Sequence, residues 1–328
     1  MLRETSILTF IIAGLMNGSF VIPAKYINNF IKEKIWCYHS IIGLAVMPWV
    51  ILTIMLPGTI GNYLSLQPSI LTFLILSGVI FGLGQVFFAY AIDFIGVALS
   101  FTINLGLGVT IGSLFVVFYK NTFFTLQDSL VVLAIFFILC SLFIYYHSGK
   151  HNNVGKDVPL ANISRYHKGW LLASLTGLTS GLQNITFVIV AFYSQAHFQT
   201  SNSFWVWPPF LLAASIPMFI GFLYKIRKNT TPTLPTKKIL FAKNILLITL
   251  MGLFFTGSLA LYSKGMSQLS KVQQIIGWPA FMVSIILASQ LWGWIYRESG
   301  DVSRKNRFKI LGGIILLVAA IIILAIKA

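Results

Sequence analysis

Six side-chain amides lie inside long apolar stretches of this chain: Asn17, Gln85, Asn104, Asn184, Gln273 and Gln274. An amide carries both donors and an acceptor, and burying it unpartnered is costly. Amides therefore suit a neutral solute rich in hydroxyls, each of which can give and accept a hydrogen bond. Gln183 adds another amide, and Trp278 offers a flat surface for the apolar face of a ring-shaped solute. Trp205 and Trp207 could stack in the same way or belong to an interfacial aromatic belt. Asp93, Glu298 and His39 are the titratable groups near the apolar stretches that could exchange a proton, in that order of preference. Asp93 leads because it falls between the segments carrying Gln85 and Asn104. The plainer reading of Asp93, Glu298, Lys25 and Lys264 is a solvated helix end. No phosphate-binding glycine loop, HExxH, CxxC or buried carboxylate pair is present, so nothing points to an enzyme, a cofactor or a bound metal. Cys37 and Cys140 fall in or beside apolar runs and suggest no disulfide.

The elements that hold these groups must be membrane helices. The chain is 57% hydrophobic and 9% charged, with a mean hydropathy of +0.86, whereas a soluble domain carries roughly 25% charged residues. A bilayer core needs roughly 20 apolar residues per helix. Helices are expected near 6–24, 37–57, 69–92, 95–118, 128–146, 169–193, 203–224, 244–263, 272–296 and 309–327. The first is not read as a signal peptide, because Glu4 and Asn17 interrupt it and no small-x-small cleavage site follows. The fold class is thus an all-α membrane protein of about ten transmembrane helices.

Charge placement gives an orientation. Of the 23 Lys and Arg, all but Arg3, Lys120, Lys264, Lys271 and Lys327 fall in the odd-numbered loops. Excess Lys and Arg mark cytoplasmic loops. Both termini are therefore expected outside the cytoplasm, in the inner (plasma) membrane. The net charge of +16 reads as topology and not as affinity for nucleic acid.

The polar connection from His147 to Lys168 divides the helices into two inverted five-helix repeats, 1–150 and 151–328. Gly14 and Gly18 in the first expected helix correspond to Gly177 and Gly181 in the sixth, and Tyr90 to Ile103 can be laid on Tyr262 to Ile275. Ser100, Asn104, Gly108 and Gly112 form one small polar stripe. Gln273, Gly277, Ala280, Ser284 and Ala288 form another. Either stripe could pack helices together or line a cavity. Inverted-repeat transporters bind solutes at the repeat interface near mid-membrane. A small polar solute is therefore the expected partner, with protons and the lipid bilayer. Export of a metabolite or drug, and a membrane-embedded enzyme or scaffold, are the competing readings.

Three stretches carry a family resemblance. They are Gly14 to Lys25 with Pro23, followed by Pro48-Trp49; Phe81-Gly82-Leu83-Gly84-Gln85 continuing through Gly96 to Gly112-Ser113-Leu114; and Gly265 through Trp278 to Arg297-Glu298. In these the chain resembles the rhamnose–proton symporter family of the drug/metabolite transporter superfamily. The resemblance implies ten helices, a central cavity lined by the first four helices of each half, peripheral fifth and tenth helices, and a sugar such as L-rhamnose moved with a proton. Where the family can carry a carboxylate early in the ninth helix, this chain has Gln274, which cannot exchange a proton.

Overall fold

The computed structural model describes residues 2–119, 126–153, 160–194, 198, 202–228, 238–269, 274–298 and 304–326. Eleven α-helices run through them: α1 (Leu2–Gly18), α2 (Lys32–His39), α3 (Met47–Met55), α4 (Pro68–Ile95), α5 (Val97–Tyr119), α6 (Leu126–Asn153), α7 (Leu160–Ser194), α8 (Trp207–Lys228), α9 (Lys238–Ser267), α10 (Gln274–Ile295) and α11 (Arg304–Ile326). Among the described residues nine segments are long and apolar enough to cross a membrane, and α11 contributes the shorter apolar helix Phe308–Ala320. Bulky apolar side chains such as Ile54, Ile220 and Phe143 face outward. That surface would be untenable in water over so large an area.

The second span is one bent rod made of α2, a π-helical turn at Ser40–Val46, and α3. Pro48 explains the bend. It lacks an N–H for the Leu44 carbonyl, and its ring would press on that carbonyl in an unbroken α-helix. Widening the turn moves the bonding to a longer register, in which the Met47 N–H donates to the Ile42 carbonyl. The Gly43 carbonyl accepts a bond from Thr256 Oγ1 of α9 at 2.8 Å. Between α4 and α5 there is only Gly96, at φ +82°, a left-handed conformation that glycine adopts without a Cβ penalty.

The expected helices are all found, and most are longer than their apolar cores. The largest difference lies in the connection from His147 to Lys168. It was expected as a polar loop, yet α6 runs to Asn153 and α7 begins at Leu160. Polar residues extend these helices beyond the apolar core, and Arg165 reaches back to the Asp93 carbonyl at 2.9 Å. The second span begins at Lys32 instead of near residue 37. His39 was expected to open this span. It lies a full α-helix inside it.

Packing follows a regular scheme. α1 packs on α9 and α10, while α7 packs on α4 and α5. The bent second span packs on α8 and α9, α4 on α8, and α5 on α10. α6 packs mainly on α11 at the edge. The small stripes form close seams. A Cβ at Gly14 would lie 2.3 Å from Ser284 Cβ, and one at Gly18 would lie 2.6 Å from the Ile285 carbonyl. The small residues of both stripes therefore serve as helix contacts, as small residues do in membranes, while Asn104 of the first stripe lines a cavity.

Candidate functional site

Asn17, Gln85, Asn104 and Trp278, from α1, α4, α5 and α10, line one central cavity together with Ser180 and Gln183 of α7. Three of the four amides have a lining phenylalanine three or four positions away in the sequence: Phe20 with Asn17, Phe81 and Phe88 with Gln85, Phe101 with Asn104. On α4 and α5 the 3.6-residue period turns these side chains to the same side. Asn17 Nδ2 donates to Ser258 Oγ at 2.7 Å. Ser180 Oγ donates to Asn104 Oδ1 at 2.7 Å. Gln85 and Gln183 make no side-chain hydrogen bond within the described protein, and the buried Trp278 Nε1 has no partner. No Asp, Glu, Lys, Arg or His is among the lining residues, so the cavity presents hydrogen-bonding capacity without fixed charge.

The cavity holds only about 30 Å³, room for water but far below the roughly 300 Å³ of an ordinary ligand pocket. Two aromatic layers confine it. On one side Phe20 packs on Phe88, Phe101 and Phe255, with centroids 5.2–6.4 Å away. On the other, Tyr262 packs on Phe10, Phe187, Trp278 and Phe281 at 5.0–5.8 Å. Trp207 belongs to the second layer, stacked on Phe187 at 4.9 Å and donating to Ser263 Oγ at 3.0 Å. Trp205 is fully buried and stacked on Phe198. Neither tryptophan forms an interfacial belt.

The remaining expected site residues fall elsewhere. Asn184 is buried on α7, where its amide faces the space left by Gly112 of α5, and it does not line the cavity. Its two amide atoms have no hydrogen-bond partner. Gln273 and the side chain of Gln274 lie outside the described residues.

Asp93 and Glu298 sit at the same end of the bundle, each in an ion pair. Lys32 bonds Asp93. Lys25 bonds Glu298 at 2.9 Å while lying 4.0 Å from the Tyr296 ring centre. Glu298 also accepts the Ala98 N–H at 3.1 Å, so it ties the segment after α1 to the start of α5 and the end of α10. Tyr26 and Tyr296 share a hydrogen bond at 2.8 Å. That bond, with smaller contributions from burial and the neighbouring phenol, pushes the Tyr296 phenol up to about 12. His39 is different: its ring is buried among Phe20, Trp36 and Phe255, and it has no ion pair. Among the described residues no three His, Cys, Asp or Glu come together as metal ligands.

The whole chain can be compared with known proteins. Residues 4–328 match the family described as L-rhamnose-proton symport protein. The chain belongs to the L-rhamnose-proton symport family. L-rhamnose-proton symporters of Cronobacter sakazakii and Escherichia coli are similar to it: the first is 23% identical over 97% of this chain and 96% of its own length, the second 22% over 95% of each. The Shigella dysenteriae symporter is also 22% identical, over 95% of each chain. The symport family is one of transporters and not of enzymes, and the apolar helices make this member a multi-pass membrane protein.

Sequence reasoning found the amides but missed the rings that enclose them. Phe20, Phe88, Phe101 and Phe255 looked like ordinary apolar filling in helices already rich in phenylalanine. The usable signal was the spacing of Phe20, Phe88 and Phe101 three residues from a membrane amide; Phe255 carries no such signal.

Proposed function

We propose that this chain moves L-rhamnose together with a proton across the cytoplasmic membrane, by opening the central cavity alternately to either side. Family membership over nearly the whole chain supports the transport of this sugar. The observation that carries the site is the cavity itself: amides and a tryptophan from α1, α4, α5, α7 and α10 around a space free of charge. Asn17, Gln85, Asn104 and Gln183 would share the sugar hydroxyls, and Trp278 would stack on the apolar ring face. Gln273 and Gln274, whose side chains lie outside the described residues, would complete the set. Ligand pockets usually exceed about 300 Å³, so loading requires one aromatic layer to part. The two layers act as alternate gates.

The division into inverted repeats, residues 1–150 and 151–328, is supported by the packing scheme. Exchanging each span with the one five later maps α1 on α10 to α7 on α5, and α1 on α9 to α7 on α4. It also maps α4 on α8 to α9 on the bent second span, and leaves the α5–α10 and α6–α11 seams unchanged. The charge distribution supports a cytoplasmic end at Lys25, Asp93 and Glu298, with both termini outside.

Purified protein in liposomes preloaded with unlabelled L-rhamnose tests the reading. External labelled L-rhamnose should enter by counterflow, and a panel of other neutral sugars should compete less well. Absence of L-rhamnose counterflow in a protein that remains folded would refute the assignment.

A further inference from the structure

His39 is a titratable group buried inside a membrane span, where an ionisable side chain commonly has a function. It ends α2 within the span Lys32–Met55 and is 2% exposed. Its ring stacks on Phe20 at 5.7 Å and meets Trp36 and Phe255 edge-on. Nδ1 is buried with no hydrogen-bond partner. The ring fits only because Gly43 has no side chain: a Cβ there would lie 2.7 Å from His39 Cε1. Phe20 and Phe255 both line the cavity. His39 therefore backs the aromatic layer that closes the cavity toward Lys25, Asp93 and Glu298. The π-helical turn begins at the next residue, Ser40, which puts the ring at the bend of its span.

No counter-charge reaches this ring. α2 itself carries Lys32, Glu33, Lys34, Cys37 and Tyr38, and the segment after α1 carries Lys25. α4 brings Tyr90 and Asp93; α8 brings Tyr224 and its terminal Lys225, Arg227 and Lys228; α9 brings Lys238, Lys243, Tyr262 and Lys264. Lys25 and Lys32 are engaged with Glu298 and Asp93. None of these groups hydrogen-bonds with Nδ1 of the imidazole. An imidazolium has an N–H on both nitrogens. In this cage Nδ1 would donate to nothing, and an unpaired buried charge is strongly disfavoured. The closed layer accommodates the neutral ring alone.

We propose that His39 carries the coupling proton, its neutral ring sealing this end of the cavity and its charged ring forcing the end open. The proposal rests on the symport reading above. A hydronium ion entering the cavity from the outer side gives up a proton: its O–H bond breaks, water is left, and an N–H bond forms at the bare Nδ1. The charged ring leaves the Phe20–Phe255 cage by turning at the π-helical bend, and the layer parts. At the opened cytoplasmic side the N–H bond breaks, the proton passes to water, and the neutral ring returns. No electron transfer is involved.

The test compares the parent with His39→Phe and His39→Gln in liposomes, using L-rhamnose. With an inward proton gradient of one pH unit, one-to-one symport permits accumulation up to about tenfold. The parent should accumulate L-rhamnose and draw protons inward with it. Both variants should lose accumulation and the sugar-evoked proton flux, with counterflow strongly slowed because the ring can no longer charge and force the end open, while L-rhamnose binding to the purified protein persists and shows that the variants are folded. Retained accumulation in either variant would overturn the proposal. Parent counterflow without proton-driven accumulation would overturn the symport reading, and the proposal with it. Should both variants misfold, a chain with His147, His151, His167 and His197 replaced by Gln leaves His39 as the sole imidazole. Isotope labelling should then show one ring that is neutral at rest and becomes charged on acidification only with L-rhamnose present. A ring charged at rest, or one indifferent to the sugar, would overturn the proposal.

Discussion

Replacing Asn104 by Ala separates a binding role from a packing role. Asn104 Oδ1 accepts from Ser180 Oγ at 2.7 Å, and both residues line the cavity. An amide that holds a sugar hydroxyl in a desolvated site contributes about 1–3 kcal/mol. Its loss should raise the Kd for L-rhamnose about 5- to 150-fold. The structural cost should be smaller. Without Asn104 the Ser180 hydroxyl still lines the cavity, where a water can take the place of the lost acceptor. The expected loss of stability is about 1 kcal/mol or less, a fall of a few degrees in Tm. Ser180→Ala is the matched control. It breaks the same bond but leaves the Asn104 amide in place, so affinity should change less than about threefold, well within 1 kcal/mol. Sugar binding to detergent-purified protein, measured by calorimetry beside thermal unfolding, gives both readouts. If Asn104→Ala binds as the parent does while unfolding as readily as Ser180→Ala, Asn104 is a packing group and the proposed cavity is wrong.

Other consequences can be checked in parallel. Gly18→Val should prevent normal assembly, because its first side-chain atom would sit 2.6 Å from the Ile285 carbonyl; recovery of fully folded monodisperse protein would contradict the packing. Gly312→Ala, where a Cβ meets nothing within 4 Å, should instead stabilise α11 by up to about 1 kcal/mol, read as an unchanged or higher Tm. Glu298→Gln removes the charge that holds Lys25, so L-rhamnose counterflow should quicken while Tm changes little, as expected for a partly exposed pair; slowed counterflow at unchanged Tm would show that the pair does not restrain opening. A reporter active only in the cytoplasm should give signal when inserted near Lys237 and none when fused after Lys327; the reverse would overturn the orientation.

Much of the fold was legible because hydropathy is a strong signal in a bilayer: each expected helix has a counterpart in the structure. What could not be read were the ends and the bends. Polar residues around Arg165 were taken for a loop because they lack apolar character, although a helix can project beyond the membrane. The π-helical turn at Ser40–Val46 followed from Pro48 only once the neighbouring Gly43–Gly252 contact was visible. The site was half legible. Membrane amides stand out because each is costly to bury, and Asn17, Gln85 and Asn104 do line one cavity. Asn184 carries the same signal yet faces Gly112, since amide chemistry does not reveal which side of a helix looks inward. His39 was misjudged for a related reason: an assumed helix start near residue 37 placed at a boundary a ring that the fold buries.

The central claim, movement of a neutral sugar with a proton, has an electrical signature. Liposomes of the parent protein adsorbed on a capacitive electrode, right side out and without any initial gradient, should respond to external L-rhamnose with a current of positive charge into the liposome. That current should persist when sodium is replaced by choline and fall as the external medium is made alkaline. A sugar that drives counterflow but evokes no proton-dependent current would contradict symport.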